Sequence, residues 1–171
     1  ADHRRHAGAL ADARDGRRGV RAAVGLRSGE LRGLTRDRCR DGVLVVDRQL
    51  VDAEGCAPVF GPPKSKAGVR RVRIGATAQA ALEEQWERWP SDDLVWRTRL
   101  GTPLTRKAAA EAWREVTRGM GLRPRSGLHD LRHFHASLLI SAGLSVRAVA
   151  DRLGHADPAE AMRTYAHLWP S

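Results

Sequence analysis

Between Gly127 and His167 the sequence spaces His129, Arg132, His133, His155 and Tyr165, and Tyr165 is the only tyrosine among 171 residues. A chemistry that needs a phenolic nucleophile therefore has one choice. Arginines, histidines and a phenol in one stretch suit phosphoryl transfer on a nucleic-acid backbone. A phosphodiester resists attack because negative charge shields the phosphorus and builds on its equatorial oxygens in the transition state. Two arginines can clamp the nonbridging oxygens with forked hydrogen bonds that a point charge cannot match, and Arg27 and Arg132 form that pair. Lys64, in a turn between strands, can protonate a leaving 5′ oxygen, while His129 and His155 can add hydrogen bonds or take the nucleophile's proton. The tyrosine hydroxyl, with an ordinary pKa of about 10, needs nearby positive charge to act.

Each residue also has a plain reading. A single arginine in a basic chain is usually a solvated charge, a lone tyrosine is usually packing, and a lysine in a turn is usually just exposed. His129 and His133 at i, i+4, with His155, could instead make a three-nitrogen metal site. No HExxH glutamate follows His129, and Arg132 would sit unfavourably close to a cation, so neither a metal nor any other cofactor is expected.

Three helices must position the stretch. Residues His129 to Ala142 have a helical period in which Leu131, Phe134 and Leu138 read as the core stripe, while His129, Arg132 and His133 share another face. Ser145 caps a helix carrying Val146, Val149, Ala150 and Leu153, which Gly154 ends; Asp157-Pro158 starts the last helix and puts Tyr165 two turns into it. Upstream, Val24, Leu31 and Leu34 mark helical turns around a break at Gly25, with Glu30 within reach of Arg27. The runs Val43 to Val46, after an Asp41-Gly42 turn and continuing through Leu50-Val51, Pro58 to Gly61 and Val69 to Ile74 predict a small antiparallel sheet, with Lys64-Ser65-Lys66 in the turn joining the last two. Helices follow over Thr77 to Trp89, with Ala81, Leu82, Trp86 and Trp89 inward, and over Thr105 to Met120, with Ala109, Trp113 and Val116 inward and Gly121 at the exit. The fold class is α+β and mainly α-helical, with a three-stranded antiparallel sheet near the N-terminal half and a helical C-terminal half. Residues 1 to 24 read as a polar arm or helix before a single domain over 25 to 171.

The formal charge of +10 and pI near 11.1 point to a polyanionic partner, although arginine dominance over three lysines also fits a GC-rich coding sequence. No apolar run approaches the roughly 20 residues that cross a bilayer, so no membrane partner is expected. Cys39 and Cys56 form no CxxC pair and read as reduced thiols. The Arg- and Ala-rich start lacks the apolar core of a signal peptide, which predicts a cytoplasmic, nucleoid-associated protein.

Taken together, these residues resemble the catalytic domain of the tyrosine recombinase family, the phage integrases. Gly25-Leu26-Arg27 followed by Glu30-Leu31 and Leu34 resembles the family's first arginine box, and Pro63-Lys64-Ser65 before a basic strand resembles its β-hairpin lysine, with Lys66 a rival two residues on. His129-Asp130-Leu131-Arg132-His133 is similar to the HxLRH box, Leu153-Gly154-His155 to the LGH box, and Thr164-Tyr165 to the nucleophile box. The resemblance implies a metal-independent reaction without cofactor, in which Tyr165 attacks a scissile phosphate to leave a 3′-phosphotyrosyl enzyme and a free 5′ hydroxyl. A 5′ hydroxyl from a partner duplex then reverses the step. It implies that Arg27 and Arg132 bind the phosphate, Lys64 protonates the leaving oxygen, His129 and His155 assist, and Glu30 and His133 orient the arginine and the nucleophile. The implied partners are double-stranded DNA and further copies of the chain in a synaptic tetramer, with a monomer when free. The family's N-terminal DNA-clamping domain has no counterpart here and little tail follows Tyr165, which leaves a catalytic fragment or a non-catalytic DNA-binding remnant as the alternative. His135 stands where the family often has a small or apolar residue and receives no role.

Overall fold

Asp41 and Gly42 both adopt positive φ, 51° and 69°. A two-residue hairpin needs that pair of conformations, because it matches the right-handed twist of the strands it joins. The turn links β1 (Cys39–Arg40) to β2 (Val43–Val46), a strand the sequence reading had not assigned at Cys39. The structure is a computed structural model that describes residues 24–122 and 126–168. Apart from Val24, the expected arm over 1 to 24 lies outside the described residues, as does the side chain of Val116.

Before the sheet comes α1 (Ser28–Arg32); after β2 come β3 (Gln49–Val51), β4 (Val59–Gly61), β5 (Arg70–Arg73), α2 (Ala76–Arg88), α3 (Arg106–Val116), α4 (Leu128–Ser141), α5 (Val146–Leu153) and α6 (Pro158–Tyr165). The mixed, mainly helical class is as expected. The pairing of strands is not. The three-stranded sheet has the order β1-β2-β5, and β3 pairs with β4 in a separate two-stranded sheet. The lysine-bearing segment therefore connects two sheets rather than closing a hairpin, and a 3-10 turn over Lys66–Gly68 lies within it. Pro62 and Pro63 explain the break, since neither can donate to a ladder and β4 stops at Gly61.

Register assigns the faces of the larger sheet. Leu44 pairs with Val72 and Val46 with Arg70, so Arg70 shares the inward parity of Val72 while Arg71 and Arg73 point outward. Leu44, Val46 and Val72 join Val24, Leu26, Leu31, Leu34, Leu82, Val95, Trp96 and Leu104 in one core cluster. A second cluster is made by Ala136, Ile140, Val149, Ala150, Leu153, Ala161 and Tyr165 from α4, α5 and α6. Burial of each large side chain contributes about 1.5 to 3 kcal/mol, so the two clusters are the main apolar support of their halves.

Two helices differ from expectation. Gly119, at φ 80°, turns the chain before Gly121 can, so α3 stops at Val116 instead of reaching Met120. In α4 the period is right but the phase is wrong: Phe134 and Leu138 are 54% and 49% exposed, and the buried face is Arg132, His135, Ala136 and Ile140. The rotation has a polar cause, described below.

Candidate active site

The end of α5 is built from three carbonyls that the helix cannot satisfy itself. The Arg70 Nε donates to the Arg152 carbonyl at 3.0 Å, the Arg132 Nη2 to that of Leu153 at 2.8 Å, and the Arg27 Nη2 to that of Gly154 at 2.9 Å. Three guanidinium groups from β5, α4 and the start of α1 thus gather at one helix C-terminus, where the backbone dipoles also favour cations. Gly154 makes this possible. It adopts φ 72°, and a Cβ there would lie 2.9 Å from Arg70 Nη1 and 3.0 Å from the Ala67 carbonyl. The His155 N–H bonds back to the Ala150 carbonyl at 3.0 Å, which fixes the imidazole one residue beyond the arginine cluster.

Arg132 explains the phase of α4. Its Nη1 donates to the Gly25 carbonyl at 2.7 Å, and the residue is 3% exposed. His135 lies one turn along the same face, and a Cβ on Gly25 would stand 2.6 Å from its ring. That gives His135 a place the sequence did not reveal: it packs beneath the glycine whose carbonyl holds Arg132. Burial, and next the charge of Arg27, bring the Arg132 pKa down to about 10, which leaves it protonated at neutral pH.

Glu30 caps the start of α1 by accepting from the Arg27 backbone N–H at 2.8 Å and from Arg27 Nη1 at 3.1 Å. It is also gripped by Arg70, Nη1 to Oε1 at 3.1 Å and Nη2 to Oε2 at 2.9 Å. Burial works to raise the Glu30 pKa, but the hydrogen bonds and charge of Arg70, with those of Arg27, hold it below the ordinary value. Arg70 was not found from sequence. The signal existed: an arginine on the inward parity of a strand requires a buried acceptor.

Tyr165 is 4% exposed and its hydroxyl lies 2.8 Å from His133 Nδ1. Burial raises the phenol's pKa against the opposing charge of Arg132, so the hydroxyl keeps its proton at neutral pH. His129 meets His133 edge to face, ring centroids 4.6 Å apart. His155 is 8% exposed, and burial, followed by the charge of Arg132, lowers its pKa to about 4. The ring is therefore neutral, and the 3.6 Å approach of its Nε2 to Glu160 is a contact rather than an ion pair. Its Nδ1 is buried without a hydrogen-bond partner among the described residues. The tautomer with the proton on Nε2 spares an unpaired buried N–H and points a donor outward.

A cavity of about 600 Å³ brings these groups together. Arg27, Lys64, His129, Arg132, His133, His155 and Tyr165 all line it; Lys66 and Glu30 do not, Glu30 lying behind Arg27. Gln49 and Arg106 line it too and were not anticipated. Among the described residues no group of three or more His, Cys, Asp or Glu side chains is arranged to hold a metal ion, and no helix is long and apolar enough to cross a membrane. The Cys39 thiol is partly buried, which pushes its pKa up to about 12, an unreactive state.

The sequence model of the phage integrase family matches residues 20–171. The tyrosine recombinase XerC of Pseudomonas fluorescens is 34% identical over 152 residues, covering 84% of this chain and 44% of its own. The integrase of Staphylococcus phage L54a is 23% identical over 163 residues, covering 87% of this chain and 46% of its own. The chain thus spans about half the length of the curated relatives it matches. Among solved structures, the Tn1549 transposon integrase in complex with circular intermediate DNA has the same fold at a TM-score of 0.77 and 19% identity, over 90% of this chain and 54% of that one. The XerA recombinase matches at 0.66 and 21%, over 96% and 62%.

Proposed function

The chain belongs to the phage integrase family, and from that premise we propose that residues 25 to 171 are the catalytic domain of a site-specific DNA recombinase working through a 3′-phosphotyrosyl intermediate. The observation that carries this reading is the convergence of Arg27, Lys64, His129, Arg132, His155 and Tyr165 on one cavity. The Tyr165 oxygen attacks phosphorus as its proton passes to His133, the histidine within hydrogen-bonding distance. The bond to the 5′ oxygen breaks, and Lys64 supplies the proton that the leaving oxygen needs; Lys64 is preferred to Lys66 because it lines the cavity. Arg27 and Arg132 clamp the nonbridging oxygens, and His155 donates from Nε2 as a neutral ring. His129 supports His133 through its ring edge. The phosphodiester energy is kept in the protein–DNA bond, and a second 5′ hydroxyl recovers it without metal or cofactor.

The partner is double-stranded DNA, in the cytoplasm and on the nucleoid, and strand exchange takes place in a synaptic tetramer of otherwise monomeric chains. The basic charge of +10 supports DNA over other polyanions only in combination with this site. The test uses a pool of nicked duplexes with randomised arms, in which cleavage releases a short strand and traps the adduct. Unchanged protein forms a covalent complex on a denaturing gel and Tyr165→Phe forms none. An adduct that survives the substitution defeats the assignment. Salt-sensitive binding with no adduct on any duplex would instead identify a non-catalytic DNA-binding remnant.

A further inference from the structure

We propose that Arg70 is a positioning residue that neutralises most of the Glu30 charge, and so leaves the Arg27 guanidinium, which touches that carboxylate through one nitrogen, with charge available to a phosphate at Tyr165. The proposal rests on the recombinase reading and adds to it a residue that does not line the cavity.

Among the described residues Glu30 is the one carboxylate bonded to this arginine cluster, and its side chain is 1% exposed. A buried carboxylate is costly unless a cation pairs with it and its oxygens are hydrogen-bonded. With Arg27 alone, it would draw that guanidinium into a closed pair and cancel the charge meant for substrate. Arg70 prevents this by geometry. Its side chain is 7% exposed, and its fork covers both Glu30 oxygens, whereas Arg27 reaches only Oε1 through one nitrogen of its guanidinium. Arg70 cannot drift away, because its Nε is held by the Arg152 carbonyl and its Nη1 also by that of Gly68. Arg27 stays 20% exposed at its side chain and on the cavity wall.

The charge count gives the consequence. Arg27, Arg70 and Arg132 against Glu30 leave two net positive charges in this cluster, beside which Lys64, Arg106 and Glu160 line the cavity. A phosphodiester carries one negative charge, and attack by a phenolate oxygen brings the transition state to two. Removing the charge of Arg70 leaves one in the cluster, and the deficit weighs more on the transition state, which carries the larger negative charge, than on the ground state. The loss therefore appears mainly in the rate of bond making and less in DNA affinity.

The comparison uses the full chain with Arg70→Gln, Arg70→Lys and the double variant Glu30→Gln/Arg70→Gln, read by single-turnover adduct formation on nicked duplex and by thermal unfolding. Arg70→Gln should slow adduct formation by about 10- to 100-fold. Arg70→Lys, which keeps the charge but not the fork, should lose less. The double variant, which removes both charges of the pair, should be faster than Arg70→Gln alone. A folded double variant no faster than Arg70→Gln, or Arg70→Lys as slow as Arg70→Gln, would overturn the proposal. If Arg70→Gln does not fold, Arg70→Lys is compared with the unchanged protein instead, and a loss of about 10-fold or more would overturn the proposal. Binding of inorganic phosphate, followed by NMR titration, reads the same order of variants without any strand cutting: weaker in Arg70→Gln, recovered in the double variant. Equal phosphate binding by Arg70→Gln and the unchanged protein would also overturn it. Absence of adduct in the unchanged protein, with the phosphate order intact, would count against recombination alone.

Discussion

Replacing His155 by Gln should flatten the acid side of the stability profile. The folded state holds this imidazole at a pKa of about 4, against an ordinary 6.5, because it is buried and lies near Arg132. The sign follows from proton uptake: below pH 6.5 the unfolded chain binds a proton that the folded chain refuses, so stability is complete above that pH and falls progressively toward pH 4. At about 1.4 kcal/mol for each pH unit between the two values, the loss reaches about 3 kcal/mol, a large part of a small domain's stability. The assay is urea unfolding of both proteins at intervals across that window, compared as a difference. Glu30 and Asp52 are also held below their ordinary values, and they lose stability at the acid end as well, but they do so in both proteins and cancel. A flat difference between pH 6.5 and 4 would refute the reasoning: His155 would then protonate freely, and a neutral donor at the phosphate would have no support.

Gly154→Ala forces an alanine into φ 72° with its Cβ against Arg70 and the Ala67 carbonyl, and chemical denaturation should show a loss of about 2 to 4 kcal/mol. The phase of α4 is tested by a pair: Ile140→Ala should cost about 2 to 5 kcal/mol, whereas Phe134→Ser, at a position 54% exposed, should stay within about 0.5 kcal/mol. Equal losses would restore the apolar stripe read from sequence.

The starts of α5 and α6 and the end of α5 were legible because their signals are local, although the end of α3 was placed too late. Ser145 accepts from the Ala148 N–H, Asp157 from that of Ala159, and Gly154 takes the left-handed conformation, each as the sequence indicated. So were the boxes that line the cavity, since chemistry restricts their residue types. What failed was non-local. Whether β4 pairs with β3 or β5 depends on where Pro62 and Pro63 send the chain, and no period records it. The phase of α4 was misread because apolar pattern assigns Phe134 inward, while two carbonyls, of Gly25 and Leu153, assign Arg132 inward instead. Arg70 was hidden for the same reason, an acceptor 40 positions away in sequence.

The use of carbonyls rather than carboxylates explains how a buried arginine would serve a phosphate in the proposed reaction. A carboxylate partner would satisfy Arg132 and cancel it. The Gly25 and Leu153 carbonyls orient the guanidinium while leaving its charge intact, and burial makes that charge costly, as the lowered pKa of about 10 records. A phosphate entering the cavity would supply the missing counter-charge where water screens little, so the interaction would be stronger than at an exposed arginine. Arg27 differs because Glu30 is beside it, and there a third arginine is needed to reach the same condition. The two arginines proposed to face the phosphate are thus kept available by different means, one by dipoles and the other by a neutralised carboxylate. Both means meet at the last three carbonyls of the α5 terminus, to which Arg70, Arg132 and Arg27 bond in turn.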